Sequence, residues 1–255
     1  MPFFNQTRPL VFAHRGGCAL GPENTFAAFD RGVAAGADGL ELDIHLSADG
    51  VVVVHHDETL DRTTSGSGPI AARTADELAR LDAGDGAGIP TFLEVLRRHA
   101  GVRIIVEMKV DAAAMGEALA RDVRLAGAAE RVCAAGFGLR SLAAARTALP
   151  DMASSAGHAE VRMALYRSWL GWPARHVPYG GFQVPEIAQG HRIVSPRFVR
   201  HAHDRGLEVQ VWTVDEEPEM RRLLAWGVDG LITNRPDLAV GVRDRFLAVG
   251  SRMTD

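Results

Sequence analysis

Cysteine is nearly absent from the 255-residue sequence: only Cys18 and Cys133 occur, far apart and outside any paired spacing. That excludes a disulfide framework and a cysteine-based zinc site, and makes a reducing compartment the expectation. Aromatic residues are scarce, at 6%. No apolar run nears the roughly 20 residues that cross a bilayer. The opening MPFFNQTRPLVFAHRGG lacks a basic stretch followed by an apolar one, so no secretory signal is expected. Cationic surplus is missing too: 28 Lys and Arg stand against 32 Asp and Glu, a net charge of −4. That balance argues against a nucleic-acid or anionic-membrane binder. What is present, 47% hydrophobic and 24% charged residues, suits a cytoplasmic globular protein with a full-sized core.

Short apolar runs alternate with helical patterns along the whole chain. Strand candidates are Leu10–Ala13, Leu40–Ile44, Val51–Val54, Val102–Glu107, Val132–Ala135, Met152–Ser155, Gly181–Val184, Glu208–Trp212 and Gly230–Thr233. Helical periodicity covers Asp111–Gly127, Glu216–Trp226 and Thr25–Ala35, the last with Asn24 as a candidate N-cap. Repeated strand–helix units imply a parallel sheet covered on its faces. Their number fits a closed (β/α)8 TIM barrel, and no G-x-G-x-x-G turn supports a dinucleotide fold. One barrel domain over residues 1–255 is expected. A small insertion over 58–90 follows the strand that carries His56; its Gly- and Ser-rich stretch Thr63–Gly88 reads as a rim loop without a core of its own.

Ser47-Ala48-Asp49-Gly50 is a turn signal between two strand candidates. Pairing the runs around it sets Leu46 opposite Val51, Asp43 opposite Val54 and Glu41 opposite His56. Glu41 and Asp43 share one face of their strand. Glu107 ends another strand candidate, and Lys109 lies two residues on. Buried carboxylates repel unless a proton or cation shares them, and oxygen donors favour Mg²⁺ or Ca²⁺. Structural ion pairing is the alternative use for such acids. His14-Arg15 follows the first strand, where an imidazole can move protons and a guanidinium can fork onto phosphate; a hydrogen-bonded loop histidine beside a surface arginine is the plainer reading. Of His55 and His56, only one can face inward, and the register selects His56. Trp212 is either core or a wall for substrate, Trp169-Leu170-Gly171-Trp172 is either packing or a lipid contact, and Cys18 has no base fixed beside it.

Eight ordered blocks then converge on one pattern. Ala13-His14-Arg15-Gly16, Pro22-Glu23-Asn24-Thr25, Glu41-Leu42-Asp43, His56-Asp57 with Leu60 and Arg62-Thr63-Thr64, Ile89-Pro90-Thr91 with Glu94, Glu107-Met108-Lys109, Val211-Trp212-Thr213-Val214 and Gly227–Pro236 span nearly the whole chain. In this order they resemble the glycerophosphodiester phosphodiesterase family. The resemblance implies a (β/α)8 barrel that hydrolyses glycerophosphodiesters to glycerol 3-phosphate and an alcohol. It implies Glu41, Asp43 and Glu107 as ligands of one divalent cation, Ca²⁺ or Mg²⁺, and His14 and His56 as the acid/base pair. Arg15 and Lys109 would contact the phosphate, and Trp212 would line the glycerol side. The nucleophile is open between water and the neighbouring glycerol hydroxyl. The run Ala134-Ala135-Gly136-Phe137 departs from the family's usual Ser and Phe, Leu93-Glu94 replaces a pair of acids, and Arg162–Gln189 aligns with no block. Two rival readings are phospholipase D-like hydrolysis of lysophospholipids or sphingolipids, which needs an apolar entry near Trp169–Trp172, and a non-catalytic glycerophosphodiester-binding protein.

Overall fold

A computed structural model describes residues 3–4, 6–170 and 177–251. In chain order the strands are β1 (Leu10–His14), β2 (Gly39–Leu46), β3 (Val52–Val54), β4 (Arg103–Met108), β5 (Val132–Ala135), β6 (Ala153–Ser154), β7 (Gly181–Pro185), β8 (Ile187–Ala188), β9 (His191–Arg192), β10 (Glu208–Trp212) and β11 (Gly230–Thr233). The helices are α1 (Phe26–Ala34), α2 (Ala75–Leu78), α3 (Phe92–Arg98), α4 (Ala113–Leu125), α5 (Leu139–Ala148), α6 (His158–Leu170), α7 (Pro196–His203), α8 (Glu217–Ala225) and α9 (Pro236–Ser251). Parallel pairing runs β6-β5-β4-β2-β1-β11-β10-β7, and a Ser155–Gly181 bridge joins the two ends of that path. The chain is a (β/α)8 barrel.

Side chains obey the period of two. Along β1, Leu10 and Phe12 point into the barrel, where they meet Phe3, Ile105, Cys133 and Ile232. The intervening residues, such as Ala13, Leu40, Leu42, Ile104 and Val106, face outward against helices. Removing these aliphatic side chains from water gives the fold its main driving force, at about 25 cal/mol per Å². The barrel interior thus mixes this apolar cluster with Gln183 and Gln210, which bond side chain to side chain at 3.0 Å, and its inward positions turn acidic toward the C-terminal ends of β2 and β4.

Two local expectations are corrected. The β2–β3 hairpin pairs Ile44 with Val54, His45 with Val53 and Leu46 with Val52, one residue away from the expected register. Residues 48–50 form the loop, with Gly50 at φ +75°, a left-handed position that glycine takes without strain. The chain leaves β3 after Val54, so His56 is placed by the following loop and not by strand pairing. The segment after His56 also holds more than a rim loop. Leu60, Ile70, Leu78, Ala83 and Ile89 form a small buried cluster seated on Val53, and Thr74 caps α2 through a reciprocal bond with Glu77.

Asn24 is not the N-cap of α1. Thr25 caps it, accepting from the Ala28 N–H, while Asn24 adopts φ +58° and turns its amide inward to Asp43. Removing the cap by Thr25→Ala is expected to cost about 1 kcal/mol in a urea unfolding midpoint analysis. Asn24→Gly, which suits the left-handed backbone, should cost less than Asn24→Ala.

Candidate active site

Register alone assembles the acids. Parallel pairing sets His14 of β1 beside Glu41 of β2, and Asp43 of β2 beside Glu107 of β4. Oxygens from Glu41, Asp43 and Glu107 all lie within 4.8 Å of one another. Glu41 and Asp43 are buried, at 5% and 1% exposure. Burial pushes the Glu41 carboxyl well above its usual range, and the charges of Asp43 and Glu107 push it further. Lys109 reaches in with its Nζ 2.6 Å from Glu107 and 2.8 Å from Asp43. Burial alone would lower that ammonium's pKa, but the two carboxylates outweigh it and hold the proton more tightly. The donor set is all oxygen and carries more negative charge than one lysine neutralises, which fits a hard divalent cation.

The turn after β1 is shaped by the same acids. Arg15 takes a left-handed backbone at φ +52°, uncommon for a residue with a side chain. Its N–H donates to Glu41 Oε2 at 3.1 Å, its carbonyl accepts from the Asn24 N–H at 2.9 Å, and its guanidinium lies 3.0 Å from Glu23 and 3.4 Å from Asp43. Arg15 is thus engaged with carboxylates while still lining the cavity. Asn24 Nδ2 donates to Asp43 Oδ2 at 2.9 Å, so both left-handed residues orient a buried acid.

Each of the two histidines is anchored through Nδ1. Asp215 Oδ1 accepts from the Thr233 hydroxyl and the Asn234 N–H, and its Oδ2 accepts from Asn234 Nδ2 at 2.7 Å. That fixes the Asn234 amide with Oδ1 toward His14 Nδ1, 2.7 Å away. His14 is therefore the Nδ1–H tautomer, with Nε2 free and 3.8 Å from Glu41. His56 Nδ1 is 2.5 Å from Asp57, which Arg62 holds well below the usual carboxylate range. An ionised Asp57 only accepts, so His56 donates from Nδ1 and keeps Nε2 open. His55, by contrast, is buried and bonded to the Thr59 carbonyl at 3.1 Å, and burial pushes its pKa down.

These residues line a cavity of about 800 Å³ at the C-terminal ends of the strands, the face on which barrel enzymes carry their sites. His14, Arg15, Glu41, His56, Glu107 and Lys109 form one end, and Trp212 stands in the wall with its ring edge-on to Phe137 at 6.3 Å. Trp169 lies at the mouth; Gly171 and Trp172 fall outside the described residues. Cys18 donates its thiol to Asn234 Oδ1 at 2.7 Å, and neither cysteine is in a disulfide.

The family model for the glycerophosphoryl diester phosphodiesterase family matches residues 14–238. The chain belongs to that family. A glycerophosphodiester phosphodiesterase from Caldanaerobacter subterraneus is 33% identical over 247 residues, covering 92% of this chain and 98% of that one. One from Bacillus altitudinis is 30% identical, over 92% of this chain and 98% of its own. Among solved structures, a glycerophosphodiester phosphodiesterase from Agrobacterium tumefaciens superposes with a TM-score of 0.77 at 29% identity, covering 92% of this chain and 99% of that chain.

For this member of the phosphodiesterase family, the residues to which sequence reasoning gave no role in the site are those that orient: Asn24, Asp57, Asp215 and Asn234, with Arg62 bridging Glu23 and Asp57 at 2.7 and 2.6 Å. Asn234 follows β11 directly, at the barrel end where inward polar residues collect, which is the signal that marks it. Asn234→Leu removes the acceptor for His14; ¹⁵N NMR of the neutral imidazole should show the Nδ1–H tautomer in the parent and a tautomer mixture in the variant.

Glu41 also makes stability depend on pH. Because its folded pKa is raised, stability present below the unfolded value near 4.5 is lost as pH rises toward the folded value. The melting temperature of cation-free protein, relative to Glu41→Gln, should therefore fall with rising pH. Added Ca²⁺ or Mg²⁺ should reverse the fall in the parent only.

Proposed function

We propose that this chain hydrolyses glycerophosphodiesters to sn-glycerol 3-phosphate and an alcohol, in a reaction dependent on one divalent cation. The observation that carries this reading is the shared volume of three acids and two imidazoles, each imidazole held at Nδ1 with Nε2 open. Glu41, Asp43 and Glu107 would hold Ca²⁺ or Mg²⁺. When bound, such an ion supplies Lewis-acid polarisation of a phosphoryl oxygen.

The chain's own residues account for the rest. Arg15 and Lys109 bring positive charge to the non-bridging oxygens, where charge builds in the transition state. One histidine accepts the nucleophile's proton at Nε2, and the other delivers a proton to the departing alkoxide. Asp57 and Asn234 keep each ring from rotating, so no reorganisation is needed at the moment of transfer. Trp212 borders the glycerol side. A binding protein would have no use for two anchored proton carriers, which favours the enzyme over the non-catalytic alternative. Free cysteines and the absence, among the described residues, of a helix long and apolar enough to cross a membrane accord with a cytoplasmic setting.

The test is release of glycerol 3-phosphate from glycerophosphocholine by protein stripped with chelator and then restored with Ca²⁺ or Mg²⁺. Activity should require the ion. His14→Ala and His56→Ala should each lower kcat by about 10²–10⁴-fold with small change in KM, and Glu41→Ala should abolish turnover. Ion-independent turnover, or full activity in Glu41→Ala, overturns the reading.

A further inference from the structure

Charge is divided unevenly around the cavity. At the end built from β1, β2 and β4 both permanent cations are engaged. Arg15 lies 3.0 Å from Glu23 and 3.4 Å from Asp43, and Lys109 lies 2.6 Å from Glu107 and 2.8 Å from Asp43. The wall from α6, β7 and the β8–β9 hairpin is apolar in its body, with Val161, Leu165, Val184 and Ile193. Arg162 stands in this wall. Among the described residues it is the one permanent cation of the lining with no carboxylate in ion-pair reach.

Acids do occur on the same elements, but they are used elsewhere. Arg146 holds both oxygens of Glu160, on α6 itself, at 2.9 and 3.0 Å. Glu186, directly after β7, is shared by Arg192 and Arg222. Neither lines the cavity; the carboxylates that do, among the described residues, are Glu41 and Glu107 of the acid cluster. A positive charge left uncompensated in a low-dielectric wall focuses its field into the space it faces. His158, on the same face of α6 four residues earlier, and His191 of β9 add ring N–H donors to that rim.

We propose that the alcohol half of the substrate bears a negative charge, and that Arg162 is the residue that selects it. The inference rests on the diesterase reading above, in which Trp212 borders the glycerol and the α6 wall is left for the alcohol. Arg15 and Lys109 already meet the charge of the phosphodiester, so Arg162 is free for a second anion. An ammonium alcohol meets repulsion there, and a neutral polyol gains no charge pairing. A carboxylate or phosphate gains a forked, charge-assisted pair. Water's oxygen bonds to phosphorus as the P–O bond to the alcohol breaks. One proton of that water reaches the alkoxide, and the alcohol departs with its anionic group intact.

The experiment compares kcat/KM of the cation-loaded protein on glycerophosphodiesters whose alcohols are hydroxyethyl phosphate, hydroxypropanoate, ethylene glycol and choline. In the parent, each anionic alcohol should exceed ethylene glycol by about three- to tenfold at low salt, and choline should fall below it. The spread should narrow with added salt, as the Debye length drops from about 30 Å at 0.01 M to about 8 Å at 0.15 M. Whether phosphate or carboxylate gains more names the anion, and a gain for either supports the inference. Arg162 is exposed on its helix, so its replacement leaves the core intact. Read as the anion-to-glycol ratio within each variant, the preference should vanish in Arg162→Gln, persist in Arg162→Lys and invert in Arg162→Glu. Equal rates on anionic and neutral alcohols in the parent overturn the inference while leaving the diesterase reading standing. So does a preference for choline, which would make the half-exposed Phe137, Tyr166 and Trp169 a cation site. An anion preference that Arg162→Gln and Arg162→Glu both retain also overturns it. Silence on every diester overturns both readings.

Discussion

Three carboxylates forced into one buried space by strand register are the constraint around which the upper end of the barrel is built. Glu41, Asp43 and Glu107 have no freedom to move apart, because each is on a strand whose partners are fixed along their whole length. Their mutual repulsion and desolvation must be relieved locally. Lys109 offers an ammonium, Arg15 a guanidinium and a backbone N–H, and Asn24 an amide. The left-handed backbones of Arg15 and Asn24 make sense in this light: the conformations are unfavourable by themselves and persist because the bonds they deliver satisfy buried acids.

The barrel was legible because its signals are periodic. Nine short apolar runs each became a strand, and inward-facing acids followed from a period of two. Glu41 and Asp43 could be placed on one face from their spacing, and Glu107 from its position at a strand end. What escaped was set by loops. The expected hairpin register failed by one residue because Gly50 closes a three-residue loop, and turn geometry, not strand pattern, decides such offsets. Asn24 was misassigned to a helix cap because Thr25 satisfies the same local rule, whereas the contact to Asp43 joins the loop after β1 to the neighbouring strand β2 and leaves no trace in local sequence. His56 was selected over His55 for a reason that the observed register removes; its place comes instead from the loop that leaves β3 and from its bond to Asp57.

The segment after β3 contributes more than bulk to the rim. Through Arg62 it links Asp57, which holds His56, to Glu23, which holds Arg15. Loops from two different strand ends are thereby coupled by charge, and the small buried cluster beneath them limits their independent motion. Orientation of the two imidazoles thus depends on both flanks of β1: the β2–β3 side holds His56, and Asp215 and Asn234, on the β11 side and from the far end of the chain, serve His14.

Outside the barrel, the apolar shell is split. One cluster backs β2, β4 and β5 with α3, α4 and α5; another backs β7, β10 and β11 with α7, α8 and α9. The acids belong to strands of the first, and most of the apolar cavity wall to elements of the second. Because close-packed clusters transmit volume changes mainly to immediate neighbours, substitutions that reshape the second shell leave the packing behind the acids undisturbed. The architecture therefore separates two evolutionary burdens: one half of the barrel is held to the demands of phosphoryl chemistry, and the other is free to drift toward new molecular shapes.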